Sequence, residues 1–186
     1  MESVMSRIKP VNEEQAPSEL KEIYKKISGK FGKIPNIFLN LGNSTPALEG
    51  FLQFSAATEK MSLSPKIREQ IALTVGQKND CNYCLAVHTT VSKGLGLNEQ
   101  QVTNARRGES SDPKTQAILK FAKIIVDKNG HVSNQEVEEL KKAGITDQEL
   151  VEITYVVMVN MFTNYFNHIT DPMIDFPLAP ELALKK

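Results

Sequence analysis

Helix-start signals recur along this 186-residue chain and constrain its fold more than any other feature. Thr45-Pro46, Ser64-Pro65 and Asp112-Pro113 each open a predicted helix, because proline suits the first turn of a helix. The hydroxyl of Ser64 is the predicted cap of its helix. Ser133-x-x-Glu136 and Thr146-x-x-Glu149 are capping boxes, and an apolar pattern follows each of them. Apolar residues recur at helical spacing between these signals. The sequence therefore predicts an all-α fold.

Prolines, glycines and turn residues predict where the other helices lie. A helix that carries the chain's two cysteines is expected to begin after a cap at Asn79 or Asp80. A short polar helix is expected over residues 98–107. Two further helices are predicted, from Pro17 to Gly29 and from Pro35 to Gly42.

The last predicted helix, from Leu150 to Phe166, is the most hydrophobic of the chain. Its first half is rich in β-branched residues, for which a strand is the competing interpretation. The cap at Thr146 and the length of the apolar pattern favour a helix.

The chain length fits one compact helical bundle, which would bury about 70% of the surface that the unfolded chain exposes. Residues 1–16 are polar and lack a period, so we expect an arm that packs on a neighbour. Residues 17–170 form the expected all-α domain. Residues 171–186 contain three prolines and are expected to be an extended tail.

The charge balance limits the partners that the chain can have. It contains 22 basic and 22 acidic residues, which argues against a general nucleic-acid or anionic-membrane surface. No apolar run reaches the roughly 18 residues that suggest a membrane span, and the first residues do not resemble a secretory signal. Two cysteines are too few for a disulfide framework of the small secreted kind. We therefore expect a cytoplasmic protein.

The two cysteines stand in the one stretch where reactive side chains collect. Cys81 and Cys84 are three residues apart, and His88 follows four residues later, so a helix would place all three on one face. Glu69 lies on the preceding predicted helix, which should pack antiparallel to the cysteine helix and bring its carboxylate to His88. Two thiols at this spacing can form a disulfide, and a base beside them suggests a redox centre.

The residues alone leave open which cysteine attacks. The helix N-terminus favours the thiolate of Cys81, the more N-terminal of the two. His88, one turn beyond Cys84, is placed to accept a proton from Cys84 instead. Glu69 would fix the tautomer of His88 and raise its basicity. A cycle follows in which one thiolate attacks an oxidant, becomes a sulfenic acid and is resolved by the other thiol.

The pattern Glu69-x11-Cys81-x2-Cys84-x3-His88 resembles the signature of the alkylhydroperoxidase D-like branch of the carboxymuconolactone decarboxylase family. The resemblance implies an all-α, homo-oligomeric protein, a trimer or hexamer, that reduces hydroperoxides without haem, flavin or metal. It implies that Cys84 is the attacking thiol, activated through His88 with Glu69 behind it, and that Cys81 resolves the intermediate. It also implies a thiol or dithiol reductant, such as a lipoyl protein or a thioredoxin-like protein.

The chain departs from this family pattern at Tyr83. The best-known redox members have a histidine immediately before the second cysteine, whereas tyrosine is a poor base near neutral pH. We therefore expect Tyr83 to support the site rather than to move protons. Because the decarboxylase branch does not rely on a cysteine pair, the sequence does not favour lactone decarboxylation.

Two alternatives remain beside the redox enzyme. Cys81, Cys84 and His88 could bind zinc with Glu69, although a structural zinc site usually draws a second ligand pair from a distant segment that this chain lacks. The protein could instead be a redox- or metal-responsive oligomeric sensor without turnover. His168, at the end of the last predicted helix, is expected to interact with the helix dipole rather than to line a substrate pocket.

Overall fold

A computed structural model describes residues 6–182, and its regular structure consists of helices without any strand over that range. The all-α prediction is confirmed, and the last hydrophobic segment is a helix rather than a strand. Two 3-10 turns, Glu13–Gln15 and Thr58–Lys60, accompany the α-helices. The α-helices are α1 Ser18–Phe31, α2 Asn36–Leu41, α3 Thr45–Ala57, α4 Pro65–Lys78, α5 Asn82–Gly94, α6 Glu99–Arg106, α7 Pro113–Asp127, α8 Asn134–Lys142 and α9 Asp147–Thr170.

The predicted helix starts before α3, α4, α7, α8 and α9 are confirmed, although the cap of α3 is Ser44 rather than Thr45. The side chains of Ser64 and Asp112 accept hydrogen bonds from the backbone N–H groups three residues later, and proline follows each of them. Ser133 and Thr146 form complete capping boxes with their glutamates. These side chains satisfy N–H groups that have no partner inside the helix, which is why local sequence locates these helix starts well.

Three predicted boundaries are wrong. Helix α1 does not end at Gly29 but continues to Phe31, because Gly32 adopts the left-handed conformation (φ 73°) that ends the helix. Neither Asn79 nor Asp80 caps α5; the cap is Cys81, whose sulfur accepts the N–H of Cys84. Helix α9 extends beyond Phe166 to Thr170.

Among the described residues, no helix is both long and apolar enough to cross a membrane.

Helix α4 lies at the centre of the bundle. Its residues Ile71 to Gly76 are all buried, and α5, α6, α7 and α9 pack around it. The main core joins α4 to the apolar faces of α7 and α9, where Ile118, Leu119 and Ile153 are fully buried. Because each helix buries its apolar stripe against α4, this helix and its neighbours are held in one arrangement.

A second apolar cluster holds the cysteine helix against the N-terminal helices. Leu20 and Tyr24 of α1 pack with Leu48 of α3 and with both cysteines. Gly42, which the sequence suggested only as a helix stop, has an ordinary helical conformation (φ −60°). A side chain at Gly42 would collide with the hydroxyl of Tyr24, so the glycine is needed for this close approach.

The chain segments outside the helices are fixed to the bundle at several points. The arm folds onto its own chain, since the Arg7 N–H donates to the Thr170 carbonyl and the Val11 N–H to that of Leu39. The tail carbonyl of Met173 accepts from Asn36, and Arg106 donates to Pro180. The first five and the last four residues lie outside the described range, so the expectations for the arm and tail extend to them untested.

A buried carboxylate joins α9 to the loop before α4. Glu152 is 8% exposed and accepts hydrogen bonds from the N–H and hydroxyl of Ser62, the N–H of Leu63 and the amide of Gln148, at 2.7–3.1 Å. Burial alone would raise the pKa of Glu152, but the hydrogen bonds from Gln148, Ser62 and Leu63 outweigh it and lower this pKa to about 2.

We predict that Glu152→Gln lowers the free energy of unfolding by about 1.5–3 kcal/mol, because each lost hydrogen bond is to a charged acceptor. The pKa of Glu152 is lower in the folded state than its ordinary value of 4.5. Its contribution to stability is therefore fully present above pH 4.5 and is lost as the pH falls toward 2. Urea denaturation of parent and variant at neutral pH and near pH 3 measures both effects. The control is Glu138→Gln, because Glu138 is exposed on α8. An equal loss of unfolding free energy in the control would contradict the prediction.

Candidate active site

The two cysteines are joined in a disulfide at the N-terminus of α5. Their Cα atoms are 5.3 Å apart, and each residue is 3% exposed. Cys81 lies just before the helix as its cap, and Cys84 lies in the first turn. The spacing of three residues thus brings the sulfurs to bonding distance without interrupting the helix.

Glu69 and His88 meet across the interface between α4 and α5. The Nδ1 atom of His88 lies 2.8 Å from an oxygen of Glu69, and both side chains are about one-fifth exposed. A carboxylate accepts hydrogen bonds, so this contact places the imidazole proton on Nδ1. The unprotonated Nε2 of neutral His88 is then the atom that can accept a proton from another group.

A cavity of about 360 Å³ connects these groups. Cys84, Glu69 and His88 line it, whereas Cys81 does not. His88 and Cys84 make no direct hydrogen bond in the disulfide form, so the structure places them on one cavity rather than in contact. The wall around them is largely apolar and includes Phe31, Phe38, Phe51, Phe176, Val87 and Val156.

Two asparagines of α9, which the sequence interpretation did not identify, contact the sulfurs. The Nδ2 atom of Asn164 lies 3.0 Å from the sulfur of Cys84, and that of Asn167 lies 3.3 Å from the same atom. Their signal is present in the sequence, because Asn160, Asn164 and Asn167 recur at helical spacing in the most hydrophobic helix. Polar residues on a buried stripe need partners there. Asn164 and Asn167 have theirs at the disulfide, whereas Asn160 donates to the carbonyl of Val156 in its own helix.

Tyr83 connects the cysteine helix to the C-terminal tail. Its hydroxyl donates to the carboxylate of Asp175 at 2.7 Å and accepts from the backbone N–H of Ile37 at 3.2 Å. Asp175 also pairs with Lys33, whose ammonium lies 4.1 Å from the ring centre of Phe176. Burial raises the pKa of Tyr83 above its ordinary value, and the hydrogen bond to Asp175 raises it further. The neutral hydroxyl is therefore a fixed donor that ties the tail beside the cavity.

Other sequence candidates lie elsewhere. His168 is exposed in the last turn of α9 and does not line the cavity. Its position near the helix C-terminus suits an interaction with the helix dipole. Over residues 6–182, no three side chains of histidine, cysteine, aspartate or glutamate are placed to hold a metal ion together. The chemistry that the arrangement offers is that of a dithiol beside a base.

Part of this chain matches a known protein family. Residues 46–127 match the model of the carboxymuconolactone decarboxylase family, and this segment contains the cysteines, Glu69 and His88. It ends before α8, so the asparagines of α9 and the tail lie outside it. No curated protein matches the sequence.

Several solved structures share the fold over nearly the whole chain. An uncharacterised peroxidase-related protein from Ralstonia eutropha JMP134, described as an alkylhydroperoxidase AhpD core, has a TM-score of 0.84 at 19% identity, covering 93% of this chain and 94% of its own. A peroxidase-related protein from Silicibacter sp. TM1040 has a TM-score of 0.81 at 22% identity, with 92% of each chain covered. A variant of the debrominase Bmp8 in complex with 2,3,4-tribromopyrrole has a TM-score of 0.77 at 19% identity, covering 94% and 93%. At these identities the likeness shows the fold.

We predict that Tyr83→Phe loosens the tail, because it removes the hydroxyl that Asp175 and Ile37 share. Loss of these buried hydrogen bonds should cost about 1–3 kcal/mol. Limited digestion with chymotrypsin should then cleave after Leu178 in the tail faster than in the parent, as mass spectrometry would detect. The control is Tyr165→Phe, since Tyr165 is half exposed on α9. Equal cleavage rates in parent and Tyr83→Phe would show that the tail does not depend on this contact.

Proposed function

We propose that this chain, whose residues 46–127 match the model of the carboxymuconolactone decarboxylase family, is a dithiol oxidoreductase that reduces organic hydroperoxides. The observation that carries the proposal is the cavity on which Cys84 meets the His88–Glu69 pair, with Cys81 bonded behind Cys84. A thiol at a cavity, a base of fixed tautomer and a second thiol within bonding reach are the three parts that such a cycle needs.

The cycle assigns a role to each of the four residues. In the reduced protein, the thiolate of Cys84 attacks the terminal oxygen of a hydroperoxide, the O–O bond breaks, and Cys84 becomes a sulfenic acid. His88 Nε2 first takes the thiol proton and then returns it to the departing alkoxide, which leaves as an alcohol. Cys81 then attacks the sulfenic acid, so that water leaves and the disulfide forms. Glu69 keeps His88 in the tautomer that has its base at Nε2.

The cavity walls indicate the kind of hydroperoxide. Phe31, Phe38 and Phe51 form an apolar side of the cavity. Hydrogen peroxide has no apolar part to bury there, so these rings would add little to its binding free energy. An organic hydroperoxide would bury its hydrocarbon part against these rings, and apolar burial contributes about 25 cal/mol per Å². We therefore propose an organic hydroperoxide with a small apolar or aromatic body.

A second candidate reaction is the reductive dehalogenation of a small aromatic ring. It is favoured by the aromatic cavity together with the shared fold of the debrominase Bmp8, which was solved with 2,3,4-tribromopyrrole. The dithiol would supply two electrons and the ring would gain a proton, so that a carbon–bromine bond becomes a carbon–hydrogen bond and bromide leaves. The disulfide is the protein product of both reactions.

Burial of the sulfurs limits the reductant. Both cysteines are 3% exposed, and only Cys84 lines the cavity, so a reductant must present a slender thiol through that opening. A dithiol on a long arm, such as a lipoyl group, satisfies this better than a thiol set in a flat protein surface, as in a thioredoxin-like partner. We place this cycle in the cytoplasm, where thiol systems keep protein dithiols reduced.

We also propose that the chain forms a homo-oligomer, a trimer or hexamer. Helix α9 carries exposed apolar side chains at helical spacing, among them Val151 (64% exposed), Tyr165 (50%) and Ile169 (68%). Such a stripe on the outside of a folded chain is typical of an interface. Light scattering on the purified protein should give a multiple of the 20.7 kDa chain mass, and a monomer would contradict the proposal.

We predict that Cys84→Ser abolishes turnover of cumene hydroperoxide with dithiothreitol as reductant, because it removes the attacking thiol. Cys81→Ser, reduced and then freed of dithiothreitol, should instead consume about one equivalent of hydroperoxide in a single fast phase and stop at the sulfenic acid, because its internal resolving thiol is missing. Peroxide loss and mass spectrometry of the protein measure both. Turnover that persists in Cys84→Ser would overturn the proposal. Bromide release from 2,3,4-tribromopyrrole by the parent, with no peroxide turnover, would favour the second candidate.

The roles of His88 and Glu69 are tested by substitutions in the same peroxide assay. His88→Gln and Glu69→Gln should each lower turnover by about 10²-fold or more without abolishing it, since general-base assistance contributes about 10²–10⁴-fold. The mass of the protein should still show disulfide formation in both variants. A parent that forms the disulfide with peroxide but is never recycled by dithiothreitol or dihydrolipoamide would instead indicate a sensor.

A further inference from the structure

The sulfur of Cys84 lies against two side-chain amides of α9. Asn164 is fully buried and Asn167 is 5% exposed, and their Nδ2 atoms lie 3.0 Å and 3.3 Å from this sulfur. A disulfide sulfur is a weak acceptor and gains little from two N–H donors. A thiolate in the same place carries a full charge, and hydrogen bonds to charged groups are about twice as strong as those between neutral groups. The amides therefore matter most after the disulfide is reduced.

The sulfurs of Cys81 and Cys84 differ in the hydrogen-bond donors that surround them. Cys81 has the backbone N–H of Cys84 at 3.3 Å as a helix-cap contact, and the amide of Asn167 is 3.8 Å away. Cys84 receives both amides at shorter distances and is the sulfur on the cavity. A thiolate buried without partners would be strongly destabilised, so the sulfur with two short amide contacts is favoured as the charged one.

A third asparagine fixes the direction of the Asn164 amide. Asn79, the residue that ends α4, donates from its Nδ2 to the Oδ1 atom of Asn164 at 2.9 Å. With its oxygen engaged by this donor, Asn164 can present only its N–H group to Cys84. The contact between α4 and α9 thus determines which end of the amide faces the sulfur.

We propose that Asn164 and Asn167 hold Cys84 as the thiolate in the reduced protein, and that Asn79 is a positioning residue for Asn164. The proposal rests on the proposed function in one respect, namely that the dithiol form is the working state. Reduction by an external dithiol breaks the S–S bond and oxidises that dithiol to its disulfide. Of the two protons that the dithiol gives up, one stays on Cys81 and the other passes to His88 or to solvent, so that Cys84 is left as the thiolate.

An unpaired atom of Asn167 supports the assignment of Cys84 as the thiolate and Cys81 as the neutral thiol. The Oδ1 atom of Asn167 is buried and has no hydrogen-bond partner in the disulfide form. Such orphan acceptors are rare in folded proteins and call for a reason. The Cys81 thiol of the reduced protein is a donor beside the same amide. Asn167 then donates to the thiolate of Cys84 and can accept from the thiol of Cys81, which matches one charged and one neutral sulfur.

The test measures the pKa of Cys84 alone, in a Cys81→Ser background. Ultraviolet thiolate absorbance and the rate of iodoacetamide alkylation are followed as functions of pH. We expect Asn164→Leu and Asn167→Leu each to raise the Cys84 pKa by about one to two pH units, and Asn79→Ala to raise it by less than Asn164→Leu. The matched control is Asn40→Leu, because Asn40 is as deeply buried but bonds to Ser6 instead of sulfur.

A second variant keeps the proposal testable if an apolar side chain at position 164 prevents folding, which circular dichroism would show. Asn164→Asp keeps the shape but places a carboxylate against the sulfur, so it should raise the Cys84 pKa at least as much as Asn164→Leu. An unchanged pKa in folded Asn164 and Asn167 variants would overturn the proposal. So would a lower pKa for Cys81, measured in a Cys84→Ser background, than for Cys84.

The pKa measurement tests the asparagine roles independently of the proposed peroxidase activity, because alkylation needs no peroxide. A shifted pKa without peroxide turnover in the parent would support the asparagine roles and reject the peroxidase. Turnover with no pKa shift in the variants would do the reverse. In the parent dithiol, loss of either amide should also make the disulfide less oxidising, by about 30 mV for each tenfold loss of thiolate stabilisation.

Discussion

The burial of α4 is the constraint on which the rest of the structure depends. This helix is enclosed by α5, α6, α7 and α9, and its residues 71–76 have almost no contact with solvent. One end of it presents Glu69 to the cavity and the other presents Asn79 to Asn164, so a single rigid element positions both the partner of His88 and the partner of the sulfur-binding amide. Close packing makes such a helix a fixed support, because a shift at either end would open voids along the core.

The local rules of helix formation predicted the fold, and long-range contacts limited the prediction of the site. Hydroxyl and carboxylate caps marked the helix starts because their hydrogen bonds span only three residues. The cap of α5 was missed because a cysteine sulfur takes the place of an oxygen there. Glu69, Cys81, Cys84 and His88 were recognisable because they lie on consecutive helices. Their roles as attacking thiol, resolving thiol, base and orienting group remain predictions.

The contacts of the asparagines and of the tail were missed for a different reason. Asn164 and Asn167 are separated from Cys84 by 80 and 83 residues, and Asp175 is 92 residues from Tyr83. Nothing in the spacing along the chain indicates that these segments meet. What the sequence does contain is an energetic anomaly, because three amides on the core side of a very apolar helix require polar partners. The cysteine helix supplies such partners for two of them.

Tyr83 shows how the chain departs from the redox pattern without losing the elements of the site. A histidine at this position could exchange protons near neutral pH, whereas the raised pKa of buried Tyr83 keeps its hydroxyl protonated. Its hydroxyl donates to Asp175 and therefore takes no part in proton transfer at the sulfurs. Its ring packs edge-on to Phe176. In the proposed cycle, the Cys84 thiolate is stabilised by groups that do not titrate, namely two amides, and proton transfer is left to His88 alone. Because amides keep their donors at every pH, the pH dependence of the reduced site should follow the thiol and the imidazole.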